Sequence, residues 1–135
     1  MSYPLTDIEG VDNDTALLLK SAGVRSTEKL LEAARTSRGR KALAAKTGLD
    51  EKKLLAFANA ADCMRVRGIS KEYADLLRAA GVDTVKELKY RNPANLAQAM
   101  AEANRKRKCV RLLPSEKLIV RWIEHAKKLT LKITY

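Results

Sequence analysis

Aromatic side chains are scarce in this chain, with one Phe, one Trp and four Tyr in 135 residues. The core must therefore be filled by Leu, Ala, Val and Ile, and little is left for stacking unpaired bases. Histidine occurs once, as His125, with no Cys, Ser or carboxylate constellation at useful spacing. It reads as a surface histidine, and no enzyme is expected. The two cysteines, Cys63 and Cys109, stand 46 positions apart with no Cys or His neighbour at ligand spacing. They read as reduced thiols rather than a disulfide or a zinc site, and no metal or other cofactor is implied. Asp12 and Asp14 are read as helix-start carboxylates favoured by the helix dipole. No apolar run approaches the roughly twenty residues that cross a bilayer. The first residues, Met1 to Asp7, lack the basic and apolar regions of a signal peptide, so the expectation is a cytoplasmic protein without a membrane partner.

Glycine is also sparse, six in all, and its placement organises the chain. Gly68-Ile69-Ser70-Lys71-Glu72-Tyr73-Ala74-Asp75-Leu76-Leu77-Arg78-Ala79-Ala80-Gly81-Val82 reads as a tight turn that opens a short helix and a glycine that closes it. Ser70 stands where a hydroxyl would cap the first amides. Ala74, Leu77 and Ala80 form an apolar stripe that Leu76 widens. Gly81 fits a left-handed helix end. So short a helix is barely stable alone in water and must pack on something.

The same stretch occurs 58 positions earlier: Gly10, Ala16, Leu18, Leu19, Ala22, Gly23 and Val24 return as Gly68, Ala74, Leu76, Leu77, Ala80, Gly81 and Val82. Leu30 returns as Leu88. The identities fall on the turn, the apolar face and the closing glycine, which reads as a duplication. Asp50-Glu51-Lys52 and Phe57 match Ser115-Glu116-Lys117 and Trp122 at a shift of 65, so seven extra residues fall around Ala103 to Leu112. Gly48-Leu49-Asp50 resembles Gly10-Val11-Asp12, and Leu113-Pro114-Ser115 reads as a fourth turn without its glycine.

The net charge of +11 is unevenly placed. Residues 1–62 hold ten Lys/Arg against nine Asp/Glu, whereas residues 63–135 hold seventeen against seven. We therefore divide the chain into a near-neutral unit, 1–62, and a strongly basic unit, 63–135. A basic half suggests a polyanionic partner, against the alternative of charge kept for solubility.

Between these landmarks the pattern predicts only helices. One turn near Thr6 to Glu9 precedes Gly10. A helix starts at Ser26, and Thr36-Ser37-Arg38-Gly39 is a break before a short helix from Lys41 to Lys46. Asp50 caps a longer helix that buries Leu54, Leu55, Ala58 and Ala61. Thr84-Val85-Lys86-Glu87 has the form of a capping box, and Asn92-Pro93 that of a cap followed by proline. The helix from Pro93 runs into four consecutive cations, Arg105 to Lys108. Pro114-Ser115 starts the last helix, with Leu118, Ile119, Trp122, Ile123 and Ala126 inward. The alternating tail, Thr130 to Tyr135, is expected to lie extended against Met1-Ser2-Tyr3.

The pattern of glycine, apolar residue, small or capping residue, then Ala-x-Leu-Leu and Ala-Gly-Val resembles the helix-hairpin-helix motif. Two such hairpins joined by a helix make a unit in DNA ligases, excision nucleases and Holliday-junction-binding proteins. The layout also resembles a family of small proteins known as domain of unknown function 4332. The resemblance implies an all-α fold of two consecutive helix-hairpin-helix (SAM-like) units with about eight short helices and a short extended C-terminal tail. It also implies phosphate binding by amides in the turn and at the start of the following helix. In the wider motif family the turn carbonyls sometimes hold a monovalent cation, which no side chain here indicates.

On that resemblance the third turn, Gly68, Ile69, Ser70 and Lys71 with Arg65 and Arg67 before it, suits a phosphate, although Glu72 stands where a base is usual. The first turn is surrounded by Glu9, Asp12 and Asp14 and reads as structural. Lys52 and Lys117 occupy the matching, usually basic, position of the second and fourth turns, as phosphate contacts or as solvated lysines. Arg105, Lys106, Arg107, Lys108 and Arg111 either clamp a nucleic-acid backbone or form a solvated loop. The expectation is a non-enzymatic, sequence-independent binder of duplex or branched DNA. A protein-interaction adaptor using the first half or the apolar surface is the alternative, and structured RNA is a third possibility.

Overall fold

Seven of the eight helices begin on a side chain that accepts one of their own first amides, which would otherwise lack a partner. In the computed structural model, which describes residues 2–135, the helices are α1 (Asn13–Ser21), α2 (Thr27–Ala34), α3 (Ser37–Thr47), α4 (Glu51–Cys63), α5 (Lys71–Ala79), α6 (Val85–Lys89), α7 (Pro93–Lys106) and α8 (Glu116–Lys128). A 3-10 turn, Leu5–Asp7, precedes them, and there is no strand among the described residues. The fold is all-α.

Local chemistry sets most boundaries. Asp12 accepts from the Thr15 amide at 2.8 Å, which holds its carboxyl below the usual range. Thr84 accepts from the Glu87 amide at 3.0 Å. Glu87 reaches back past the cap to accept from the Asp83 amide at 3.3 Å and the Thr84 hydroxyl at 3.0 Å, a variant of the expected box. Asn92 caps α7 through the Asn95 amide at 3.1 Å. At the far end of α5 the Val82 amide returns to the Leu77 carbonyl at 2.9 Å around Gly81, as a left-handed closing residue permits.

Two expectations about boundaries are corrected. Thr36 to Gly39 is not a break, because Thr36 caps α3 through the Gly39 amide at 3.0 Å and the helix starts at Ser37. A Cβ on Gly39 would stand 2.3 Å from the Ala33 carbonyl oxygen, so glycine here permits the close approach of α2 and α3. Ser70 has the extended backbone of a cap but makes no side-chain cap bond.

Helices α2 and α3 pack on α4, and α1 packs on α3. In the same way α6 and α7 pack on α8, and α5 packs on α7, while α4 meets α6. One continuous core runs through both sets, with Leu19, Leu30, Leu54, Val66, Leu77, Leu88 and Trp122 fully enclosed.

The extended tail is fastened along the end of α2 and the start of α3. Its Thr134 amide donates to the Arg35 carbonyl at 2.7 Å, and the buried Arg40 spans from the Ala34 carbonyl to that of Thr134, at 2.9 and 2.8 Å. Arg65 donates to the Thr130 carbonyl at 3.1 Å. Tyr3 exchanges bonds with Thr27, each 2.9 Å, Tyr3 and Ile133 of the tail both pack against the core, and Met1 lies outside the described residues. The tail is thus held by α3 and its approach from α2, where unpaired carbonyls and a buried guanidinium are available.

Candidate nucleic-acid interface

The third turn is a hydrogen-bonded bend laid on α8. Val66 donates to Cys63 and Ile69 to Val66, both at 3.1 Å. The Ile69 side chain is fully buried and its amide already engaged, so this residue shapes the turn and presents no free donor. Gly68 has φ +93° and lies against the indole of Trp122. The Arg67 amide donates to Nδ1 of His125 at 2.9 Å. His125 is therefore a half-buried support of the turn rather than a simple surface residue.

Beyond the turn, α5 presents its first amides without a side-chain cap, because the Ser70 hydroxyl does not turn back to them. At the other three turns the corresponding positions are filled: Asp12 bonds Thr15, Asp50 bonds Lys52, and Ser115 bonds Leu118. Lys71, at the start of α5, forms an ion pair with Asp75 at 3.7 Å. Burial pushes the Asp75 carboxyl above its usual range despite that lysine.

Two basins flank the third turn. One, of about 490 Å³, lies between Arg67, Gly68 and the face of α8 that carries Arg121, His125 and Lys128, with Glu124 beside them. The other, of about 750 Å³, lies between Glu72 and Tyr73 of α5, Arg105 of α7, and the segment with Lys108, Arg111 and Leu112. That segment is a built loop, not a loose one. Asn104 accepts from the amides of Cys109 and Val110 at 2.9 and 3.1 Å and donates to the Val110 carbonyl at 3.1 Å. Val110 is buried beneath it.

The five cations of this run have different surroundings. Arg105 pairs with Glu102, and Arg107 pairs with Glu9 of the first turn, which also lies 3.9 Å from Arg78. Among the described residues Lys106, Lys108 and Arg111 have no acidic partner, nor has Arg67. Arg65 is turned away, bound to Asp62 at 2.6 Å and to the tail. Lys117 stands exposed in the first turn of α8, next to Leu118 on the rim of the smaller basin. Lys52 lies apart, at the start of α4, whose Phe57 packs on Gly10 and whose Lys53 acts on Asp12.

The structure places Arg67 and Gly68 on the smaller basin and Arg105, Lys108 and Arg111 on the larger. Lys71 lines a shallow cleft with Glu9, Gly10 and Asp12 of the first turn, and Arg65 is held by Asp62 and the tail. Arg121 and Lys128 escaped the reading of the sequence, which took His125 only as a surface histidine. The spacing of four and three positions puts all three on one helical face, a signal that was present but belonged to no motif.

The chain belongs to the family described as Domain of unknown function (DUF4332), whose family model matches residues 9–129. No curated protein and no solved structure matches it. None of the helices among the described residues is long and apolar enough to cross a membrane.

Proposed function

We propose that this member of the DUF4332 family is a non-enzymatic module that holds duplex or branched DNA by its phosphates without reading its sequence. On this reading the two halves, 1–62 and 63–135, are diverged copies of a helix-hairpin-helix unit. The first keeps the shape and the second makes the contacts. The observation that carries it is the uncapped start of α5 set between two basins lined with Arg67, Arg121, Lys128, Lys108 and Arg111. Free amides at the positive end of a helix favour an oxyanion. The flanking cations supply a salt-sensitive attraction that is indifferent to base identity. Trp122 is enclosed and Tyr73 lies on it, ring centroids 5.1 Å apart, which leaves few aromatic faces for bases.

Titration with labelled duplex DNA, single-stranded DNA and duplex RNA at about 50 and 200 mM salt tests this reading. Duplex DNA should bind best, with an affinity that falls by about 0.9 log unit per log unit of salt for each phosphate contact. Failure to retain any of the three at the lower salt overturns the reading. A preference for duplex RNA replaces DNA with RNA as the ligand.

A further inference from the structure

One exposed apolar patch is left over by the DNA reading, and a second borders the larger basin that this reading already uses. A copy seated there and a bound duplex therefore compete for Lys108 and Arg111. On α1, Leu17 and Leu18 are 61% and 43% exposed. Asp14 lies three and four positions before them, on the same helical face, and Lys20 lies just beyond. At the matching register of α5, Leu18 corresponds to the fully buried Leu76 and Leu17 to Asp75, so α1 carries on its surface one leucine that α5 buries and one that α5 replaces with a carboxylate. On the opposite half Leu112 and Leu113 are 80% and 41% exposed on the wall of the larger basin, beside Lys108 and Arg111. Glu72 lines the same basin.

The geometry points to these two patches as the two sides of one contact between copies of this chain. The α1 face of one copy inserts Leu17 and Leu18 into the basin of another. The basin is half open to solvent, and its volume of about 750 Å³ admits two leucine side chains. Its remaining aliphatic lining, Val110 and Ala101, suits them better than it suits a flat base. Charge is complementary in both senses, with Asp14 toward Lys108 or Arg111 and Lys20 toward Glu72. Because the two patches are different surfaces, the contact is head-to-tail, or it is made twice in a reciprocal dimer. An acidic peptide of some other protein would suit the basin alone. Only a second copy uses both patches at once.

Sedimentation of the full chain, freed of nucleic acid and taken over a concentration series up to about 500 µM, suits so small an interface. Wild type should self-associate with rising concentration. Leu17→Ser/Leu18→Ser and Leu112→Ser/Leu113→Ser should each sediment as monomer while keeping wild-type helicity and melting. Mixing the two variants should restore a complex, since each retains the patch that the other lacks. The proposal is overturned by a wild type that stays monomeric or by variants that associate as wild type does. It is equally overturned by a mixture that stays monomeric, whereas one variant that still self-associates would point to a patch pairing with its own kind.

Discussion

The indole Nε1 of Trp122 lies 3.0 Å from the point where a Cβ on Gly68 would stand. Phe57 holds the matching relation to Gly10, with a ring carbon at 3.3 Å. Both glycines have φ +93°, a backbone region that side chains enter only with strain. Gly68→Ala adds that strain to a contact with a ring that is wholly enclosed. It should therefore cost more than Gly10→Ala, and Gly10→Ala more than Gly81→Ala, which shares the strain but meets nothing within 4 Å. The expected order starts at about 1 kcal/mol and rises to roughly 3. Urea midpoints of the three variants check it, and equal losses would assign the whole effect to backbone strain.

Lys108 and Arg111 should matter more to nucleic-acid binding than Arg105 and Arg107, because the latter two already hold Glu102 and Glu9. Replacing Lys108 and Arg111 with Ala should reduce the salt slope by about 1.8, at 0.9 per lost contact. The same change at Arg105 and Arg107 should reduce it by less. Glu9→Gln releases Arg107 and should raise affinity severalfold. Asn104→Leu keeps every charge but frees the loop, so weaker binding at an unchanged net charge would separate presentation from attraction. Anisotropy titrations at three salt concentrations give all four slopes.

What was legible beforehand was short-range. Thr84 with Glu87, Asn92 with Pro93, and the glycines after α1 and α5 act within a few positions, so adjacent residue types sufficed to place them. The correspondence of Phe57 and Trp122 was also visible, because each keeps a fixed distance from its capping residue. The missing pieces depend on residues far apart in sequence. His125 meets Arg67 across 58 positions, and Arg40 meets Thr134 across 94. Asn104 is an ordinary helix residue until the chain folds back to give it the amides of Cys109 and Val110. Ser70 misled for the opposite reason, since the residue type fits a cap and only its conformation declines the bond.

Asp62 is buried, and loss of water pushes its carboxyl above the ordinary 3.8 in spite of Arg65. A carboxyl raised in the folded state takes up a proton on folding between the two values. Its effect on stability is therefore unfavourable at neutral pH and is relieved as pH falls through the raised value toward 3.8. Asp62→Asn should melt at or above the wild-type temperature at pH 7, with the gap narrowing toward pH 4. A gap that widens on acidification would show that the Arg65 pair outweighs burial.

The two thiols should differ sharply in reactivity. Burial pushes the Cys63 thiol up to about 12, whereas Cys109 is half-exposed on the wall of the larger basin and raised by burial to a smaller extent. The thiolate is the reacting form. At pH 8 a disulfide reagent should titrate one thiol in the native protein, and Cys109→Ser should abolish that phase. Cys63 should react only as fast as the fold opens. Any ligand or second copy that fills the basin should slow the Cys109 phase alone.

Arg40 offers the sharpest test of how the end of the chain is fastened. Its guanidinium is buried and divided between the Ala34 carbonyl, at the end of α2, and the Thr134 carbonyl of the tail. Arg40→Met keeps the apolar stem but leaves two carbonyls without their donor, a loss of about 2–4 kcal/mol when both bonds are charge-assisted. Deleting residues 130–135 removes only the second of the two Arg40 acceptors and exposes the guanidinium to water. Truncation should then cost less than Arg40→Met, and the two changes together little more than Arg40→Met alone. Additive losses in thermal melts would mean that the tail is held chiefly by its other contacts, the Arg65 bond to Thr130 and the Tyr135 bond to Asn59.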